Sequence, residues 1–264
     1  MKKLLAAMFV ALLMVGCGEE ALNAQTSKNE PGLSIDLDDN ETLEGIIAEA
    51  IDGKKLQERG KEGEKLAYAT NQETPYTGWA KEMNDNGQIE MLAQIKDGKL
   101  DGLLTEWYEN GQKKLVVSLK DGKQDGLGKT WYENGQKKAE ITWKDGKQDG
   151  LTMAWYENGD KKWEGSFKGG TPMTGVSWKP NGEKCPVTNV KDGNGVSVWY
   201  YENGQKKLEG NYKDGKTVTT VAWKPNGEKC PVTNVVNGNG VWVWYNDDGT
   251  ESFRTTYKDG VKVD

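Results

Sequence analysis

The 264-residue chain contains no histidine. Ser-His-Asp and Cys-His catalytic arrangements and histidine-bearing zinc sites are thereby excluded, because imidazole is the side chain that titrates near neutral pH. Carboxylate, lysine and tyrosine chemistry remain open, yet no residue stands out as catalytic. The expectation is a protein that is not an enzyme and holds no cofactor or metal. Phenylalanine is scarce at 3 residues and cysteine equally so at 3. Hydrophobic residues make up only 35% of the chain, with a mean hydropathy of -0.82, which is too little for one thick globular core. Gly 34, Trp 11 and Tyr 10 are plentiful instead, as expected of many short strands joined by glycine turns.

The N-terminus reads MKKLLAAMFVALLMVGCGEE, with two lysines, an apolar run from Leu4 to Val15, and then Gly16-Cys17. A basic start, a short apolar centre and a small residue before the cut make a secretory signal over 1–16, too short for a mature membrane span. Met14-Val15-Gly16-Cys17 resembles the lipobox of bacterial lipoproteins, with Met where Leu is favoured. The resemblance makes Cys17 the lipid attachment point and the mature N-terminus, and the cell envelope, at the outer membrane or cell surface, the destination. From Cys17 to Ala50 nine acids face one base, Lys28, and the stretch from Ile51 to Asp264 is balanced at 32 of each. The acidity therefore belongs to a flexible tether over 17–39. A neutral body offers no basic field for nucleic acid, so the membrane is met through the lipid anchor only. Leu43, Ile46, Ile47, Ala50 and Ile51 fall on one helical face, predicting a short amphipathic helix over 40–53, started by Asn40 or Asp39 and stopped by Gly53, that caps the following array.

Residues 54–264 repeat one unit about eight times. Turn glycines recur at Gly87, Gly111, Gly135, Gly159, Gly182, Gly204, Gly227 and Gly249. The better copies read DGLLTEWYENGQKKLVVSLKDGKQ and DGLGKTWYENGQKKAEITWKDGKQ, from Asp101 and Asp125. Asn-Gly between apolar runs is a strong hairpin signal and predicts a two-residue type I′ turn at Asn110-Gly111. Strands are expected over 104–109 and 113–120, with Asp121-Gly122 and Asp125-Gly126 leading to the next hairpin. The fold class is all-β: an extended antiparallel meander of hairpins, single-layered or gently coiled. Trp107, Trp131, Trp155, Trp178, Tyr200, Trp223 and Tyr245 stand at one position of the period. They form an aromatic ladder and a candidate binding face. Glu109, Glu133, Glu157 and Glu202 recur at the turn and, with the lysine pairs, are expected to be solvated.

The pattern WYENGQKK, KDGK and DG at this period resembles the MORN repeat variant of bacterial proteins in the YwqK-type antitoxin family. Glu73 to Gly78 resembles that family's opening half-repeat. The resemblance implies a repeat array that serves as a binding or scaffolding surface. Its antitoxin role implies a cytoplasmic partner, against which the signal sequence argues. Three functional readings therefore stand. The first is protein binding. The second is glycan binding through the Trp/Tyr face, since flat amphipathic rings can stack on sugars. The third is an antitoxin-like inhibitor. The segment WKPNGEKCPVTNV occurs twice, from Trp178 and from Trp223. It places Cys185 and Cys230 two copies apart, about 19 Å across four strands, whereas a disulfide needs Cα atoms below about 7 Å. Both are expected as free thiols, either buried as small apolar residues or open to an intermolecular bond.

Overall fold

The computed structural model describes residues 37–61 and 63–263. The signal segment, Cys17 and the tether up to residue 36 lie outside the described residues. The chain divides after Gly128 into two compact units, within the strand Lys123–Trp131. Among the described residues no helix is long and apolar enough to cross a membrane.

In the first unit the helix runs Asn40–Glu49, capped by the Asp39 carboxylate, which accepts from the Thr42 amide at 2.8 Å. It stops short of the expected Gly53. Ile51 and Asp52 leave it to pair in parallel with Ala80 and Lys81, and Ile51 packs against the aliphatic core of the sheet. A β-branched side chain fits that half-buried strand better than a fraying last turn. A separate hairpin, Leu56–Arg59 with Leu66–Ala69, precedes the repeats.

The repeat strands Gly78–Met83, Ile89–Lys96, Lys99–Trp107 and Lys113–Lys120 then pair antiparallel in succession. Leu104, Val117, Leu119 and Ile95 fill one face of this sheet. Leu92, Trp107 and Leu103 lie on the other, where Leu37, Leu43, Ile46 and Ala50 cover them. The helix thus lies across a sheet face. Each fully buried leucine, such as Leu92 or Leu104, contributes about 1.5–3 kcal/mol.

The second unit continues the meander through eleven strands, from Lys137–Lys144 to Glu251–Lys258. Each WKPNGEKCPVTNV segment leads into a strand of only three residues, Asn189–Lys191 or Asn234–Val236. The sheet coils strongly. Trp163 and Trp199, three strands apart, bring their ring centroids to 4.6 Å.

The two turn types exchange the roles expected of them. Asp121 (φ 49°) and Gly122 (φ 78°) are both left-handed, so Asp-Gly forms the type I′ turn. Asn110-Gly111 does not. Gly111 alone has positive φ, its amide donates to the Tyr108 carbonyl, and the ladder shifts register between Glu106 and Trp107. This is a three-residue loop ending in a left-handed glycine and a bulge. The Asn110 side chain takes the Gln112 amide at 3.0 Å, which holds Asn110 outside the left-handed region.

The Asp-Gly pairs at 101 and 125 are not turns either. They lie inside the strands Lys99–Trp107 and Lys123–Trp131, which therefore begin before Leu104 and its counterpart. Their role is to hold a turn. The Asp101 carboxylate accepts from the Asp121 amide and that of Asp149 from the Gly169 amide, each at 3.0 Å. Asn194 and Asn239 do the same for Asp214 and Asp259.

Candidate functional site

Five ladder residues close their strands, with a register shift directly before Trp107, Trp155, Tyr200 and Tyr245, and Trp178 and Trp223 follow directly after theirs. They do not all present one open face. Trp107 is buried against Leu92 in the first unit, and Tyr200 is buried in the second. Trp131, Trp155, Trp178, Trp223 and Tyr245 are half-buried.

In the second unit the lysine pairs at 137–138, 161–162 and 206–207 bracket the aromatics. The first lysine lies over the next copy's ladder ring: Lys137 over Trp155 at 5.6 Å, Lys161 over Trp178 at 5.5 Å, and Lys206 over Trp223 at 4.9 Å. The same ammonium groups pair with Glu140, Glu164 and Glu209 at 2.7, 2.6 and 2.8 Å. The second lysine covers the tyrosine of its own copy, as Lys162 covers Tyr156 at 4.7 Å. The hydroxyls of Tyr132, Tyr156 and Tyr201 donate to the carbonyls of Trp155, Trp178 and Trp223 at 2.9, 2.7 and 2.6 Å. The tryptophan, the tyrosine and both lysines of WYENGQKK thus have partners in these copies, each cation–π contact contributing about 0.5–1 kcal/mol.

Glu202, Lys162 and Lys207 of the recurring set are not the solvated groups expected. The Glu202 carboxylate lies 3.3 Å from the Tyr132 hydroxyl, whose proton is shared with the nearer Trp155 carbonyl, and accepts from the Lys162 ammonium at 3.4 Å. Lys207, over both Tyr201 and Trp244, is drawn down to about 8 by burial, against the opposing pull of Asp247. Coiling brings side chains 40 to 70 residues apart together here, which a local reading of the period does not reveal.

The ladder changes from tryptophan to tyrosine at 200 and 245, and the cysteines account for it. Cys185 Sγ lies 3.1 Å from the Tyr200 hydroxyl, and Cys230 Sγ 3.0 Å from that of Tyr245. Both thiols are buried and unbridged. Burial pushes the Cys185 thiol up, but hydrogen bonds from Tyr200, Thr188 and the Val187 amide outweigh it and bring it to about 7. Cys230 is lowered by the equivalent contacts with Thr233 and Tyr245 despite its burial. Among the described residues no group of three or more Cys, Asp or Glu could hold a metal ion.

A second aromatic set was not anticipated. Trp163 stacks on Trp199 at an interplanar angle of 14°. Trp199 meets Trp244 edge-on at 6.3 Å, Trp242 stacks on Tyr257, and Trp244 stacks on Phe253. Gly165 and Gly175 face each other across the Trp163 indole, and a Cβ on Gly175 would come within 2.2 Å of that ring. Together with Gln148, Thr152, Ala154 and Ser197 these rings line a cavity of about 330 Å³. Among the described residues no charged side chain lines it. The available signal was the residue before the ladder position, which is Glu106, Thr130 or Ala154 in regular copies but Trp199 and Trp244 where the ladder residue is tyrosine.

Residues 100–121, 124–145 and 194–214 match the MORN repeat variant. A search of the curated proteins found no match. The matched segments run from the turn-holding Asp or Asn through the Asn-Gly loop to the aspartate of the Asp-Gly turn, and by them the chain carries MORN-variant repeats in a hairpin array.

Proposed function

We propose that the protein is an envelope lipoprotein, held by an acyl group on Cys17, whose repeat surface binds a partner protein. The protein-binding reading is carried by the recurrence of one ring, one ammonium and one carboxylate, at Trp155-Lys137-Glu140, Trp178-Lys161-Glu164 and Trp223-Lys206-Glu209. A surface of half-buried rings edged by paired charges suits a polar protein interface with aromatic anchors. It suits a glycan less well, because the lysines occupy ring faces on which a sugar would stack. The signal segment and the lipobox-like Cys17 favour an envelope role over an antitoxin one.

Proximity labelling in the native organism tests the reading, comparing the wild type with a Trp178→Ala, Trp223→Ala variant. A neighbouring protein labelled by the wild type and lost from the variant is the expected result. Retention of the wild type on peptidoglycan or polysaccharide, lost in the same variant, would instead establish the glycan reading. Membrane association that survives Cys17→Ser and globomycin would remove the lipid anchor from the proposal.

A further inference from the structure

We propose that the interior cavity of the second unit binds a neutral, apolar compound of two or three rings. The cavity is written into the repeat as a loss of bulk. In the first unit Leu104 pairs with Val117, and both are buried in its aliphatic core with Leu115. At the same places in later copies Thr152 pairs with Gly165, Ser197 pairs with Gly210, and Ala139 stands one copy beyond Leu115. The rings of Trp163, Trp199, Trp242 and Trp244 replace part of what is lost and leave a cavity of about 330 Å³. The fold does not require this space, since the same repeat fills its interior with aliphatic side chains in the first unit.

The walls are not free to fall in and fill the space. Trp163 is pinned between Trp199, stacked on it at 4.6 Å, and Gly175, where a Cβ would run into the indole. Trp242 is held by Tyr257 and Trp244 by Phe253, again as stacked pairs. A cavity that does not collapse costs stability in proportion to its volume, and an occupant that fits recovers that cost. The size, charge and shape of the walls specify the occupant. An apolar protein cavity of about 150 Å³ stays dry and takes benzene, so one of about 330 Å³ suits two or three rings. Among the described residues that line it none is charged, so an ionised compound would give up its hydration with nothing to offset the loss. Indole and phenyl walls favour flat rings, which gain from offset and edge-on contacts beyond the area they bury. Phe253 lines the cavity yet is 39% exposed, which places the mouth beside it. The ladder residues Trp155, Trp178 and Trp223 take no part in this lining, so the site does not depend on the proposed partner surface.

The test titrates the intact protein with naphthalene, followed by calorimetry and near-ultraviolet circular dichroism. One equivalent of naphthalene should bind and perturb the tryptophan signal. Benzene, which buries less apolar surface, should bind about tenfold more weakly, and 2-naphthoate and glucose should not bind. Ala139→Leu and Thr152→Leu each fill the cavity with a leucine that the first unit carries at the same place, at Leu115 and Leu104, and each should abolish binding. Either variant alone serves should the other fail to fold. Leu151→Asn, on the opposite face of the strand that carries Thr152 and 64% exposed, should leave binding unchanged. Loss of binding in Leu151→Asn would put the probe on the outer surface and overturn the proposal. So would absence of naphthalene binding, equal binding of benzene, 2-naphthoate or glucose, or binding undiminished in both filling variants.

Discussion

At the scale of single residues, the pairing of cysteine with tyrosine makes stability depend on alkaline pH. The Cys185 thiol sits at about 7 in the folded protein, against an ordinary value of 9.0. Between those values the unfolded chain holds a proton that the folded one has released, so stability rises with pH. The contribution is complete above 9 and is lost as pH falls through 7. Lys207, drawn down to about 8 from 10.5, acts in the same direction between about 8 and 10.5, because there too the unfolded chain binds the extra proton. Tyr200, Tyr156 and Tyr132, all pushed up mainly by burial, oppose this only above their ordinary value of 10.0. The urea midpoint should therefore climb from pH 7 to 9, and Cys185→Ala or Tyr200→Phe should flatten the climb. A midpoint that is level across this window in the wild type would contradict the account. The thiols were legible in the sequence as a repeated pair, but their partners were not. Fifteen residues separate Cys185 from Tyr200, and only the three-residue strand Asn189–Lys191 folds one back on the other.

At the scale of the hairpin, glycines of similar φ carry unequal burdens. Gly111 (φ 82°) has open space where a Cβ would stand, so Gly111→Ala should cost only the left-handed strain, about 1–2 kcal/mol. Gly238 (φ 75°) would place its Cβ 2.4 Å from the Gly260 amide, which donates to the Gly238 carbonyl. Gly238→Ala should therefore lower the urea midpoint several times further than Gly111→Ala. A similar contrast applies to the residue that holds each turn. Asn194 already fills the place of Asp149, so Asp149→Asn should be tolerated, while Asp149→Ala should cost about 1 kcal/mol. Equal thermal melting of the two variants would sink this reading. Hairpins and their spacing were legible because turn chemistry is local. Which dipeptide makes the type I′ turn was not. Asn-Gly favours it in isolation, but the Asn110 side chain bonds forward to Gln112 and commits that residue to a different conformation.

At the scale of the whole molecule, the two units share a repeat but fill it differently, with aliphatic side chains in the first and aromatic ones in the second. The second unit has its own buried clusters, around Leu208, Val235 and Val243 and around Tyr156, Cys185 and Val198. A fragment starting at Lys123, which keeps the strand Lys123–Trp131 whole, should fold and retain the exciton signal of the stacked Trp163 and Trp199; featureless near-ultraviolet dichroism would show that it does not. The sequence period located the ladder but not this second set, because stacking across three strands depends on how far the sheet coils. The hydrogen bonds that join copies carry a further consequence. Tyr156 donates to a carbonyl 22 residues ahead, Asp149 accepts an amide 20 residues ahead, and the Gly215 amide donates back to Gly193. A deletion of part of a copy strands each such bond that spans it, whereas removal or duplication of a complete copy leaves each with an equivalent partner. Tolerated length variation in this chain should therefore come as changes in copy number, in steps of 22 to 24 residues or of the 45 that separate the two WKPNGEKCPVTNV segments.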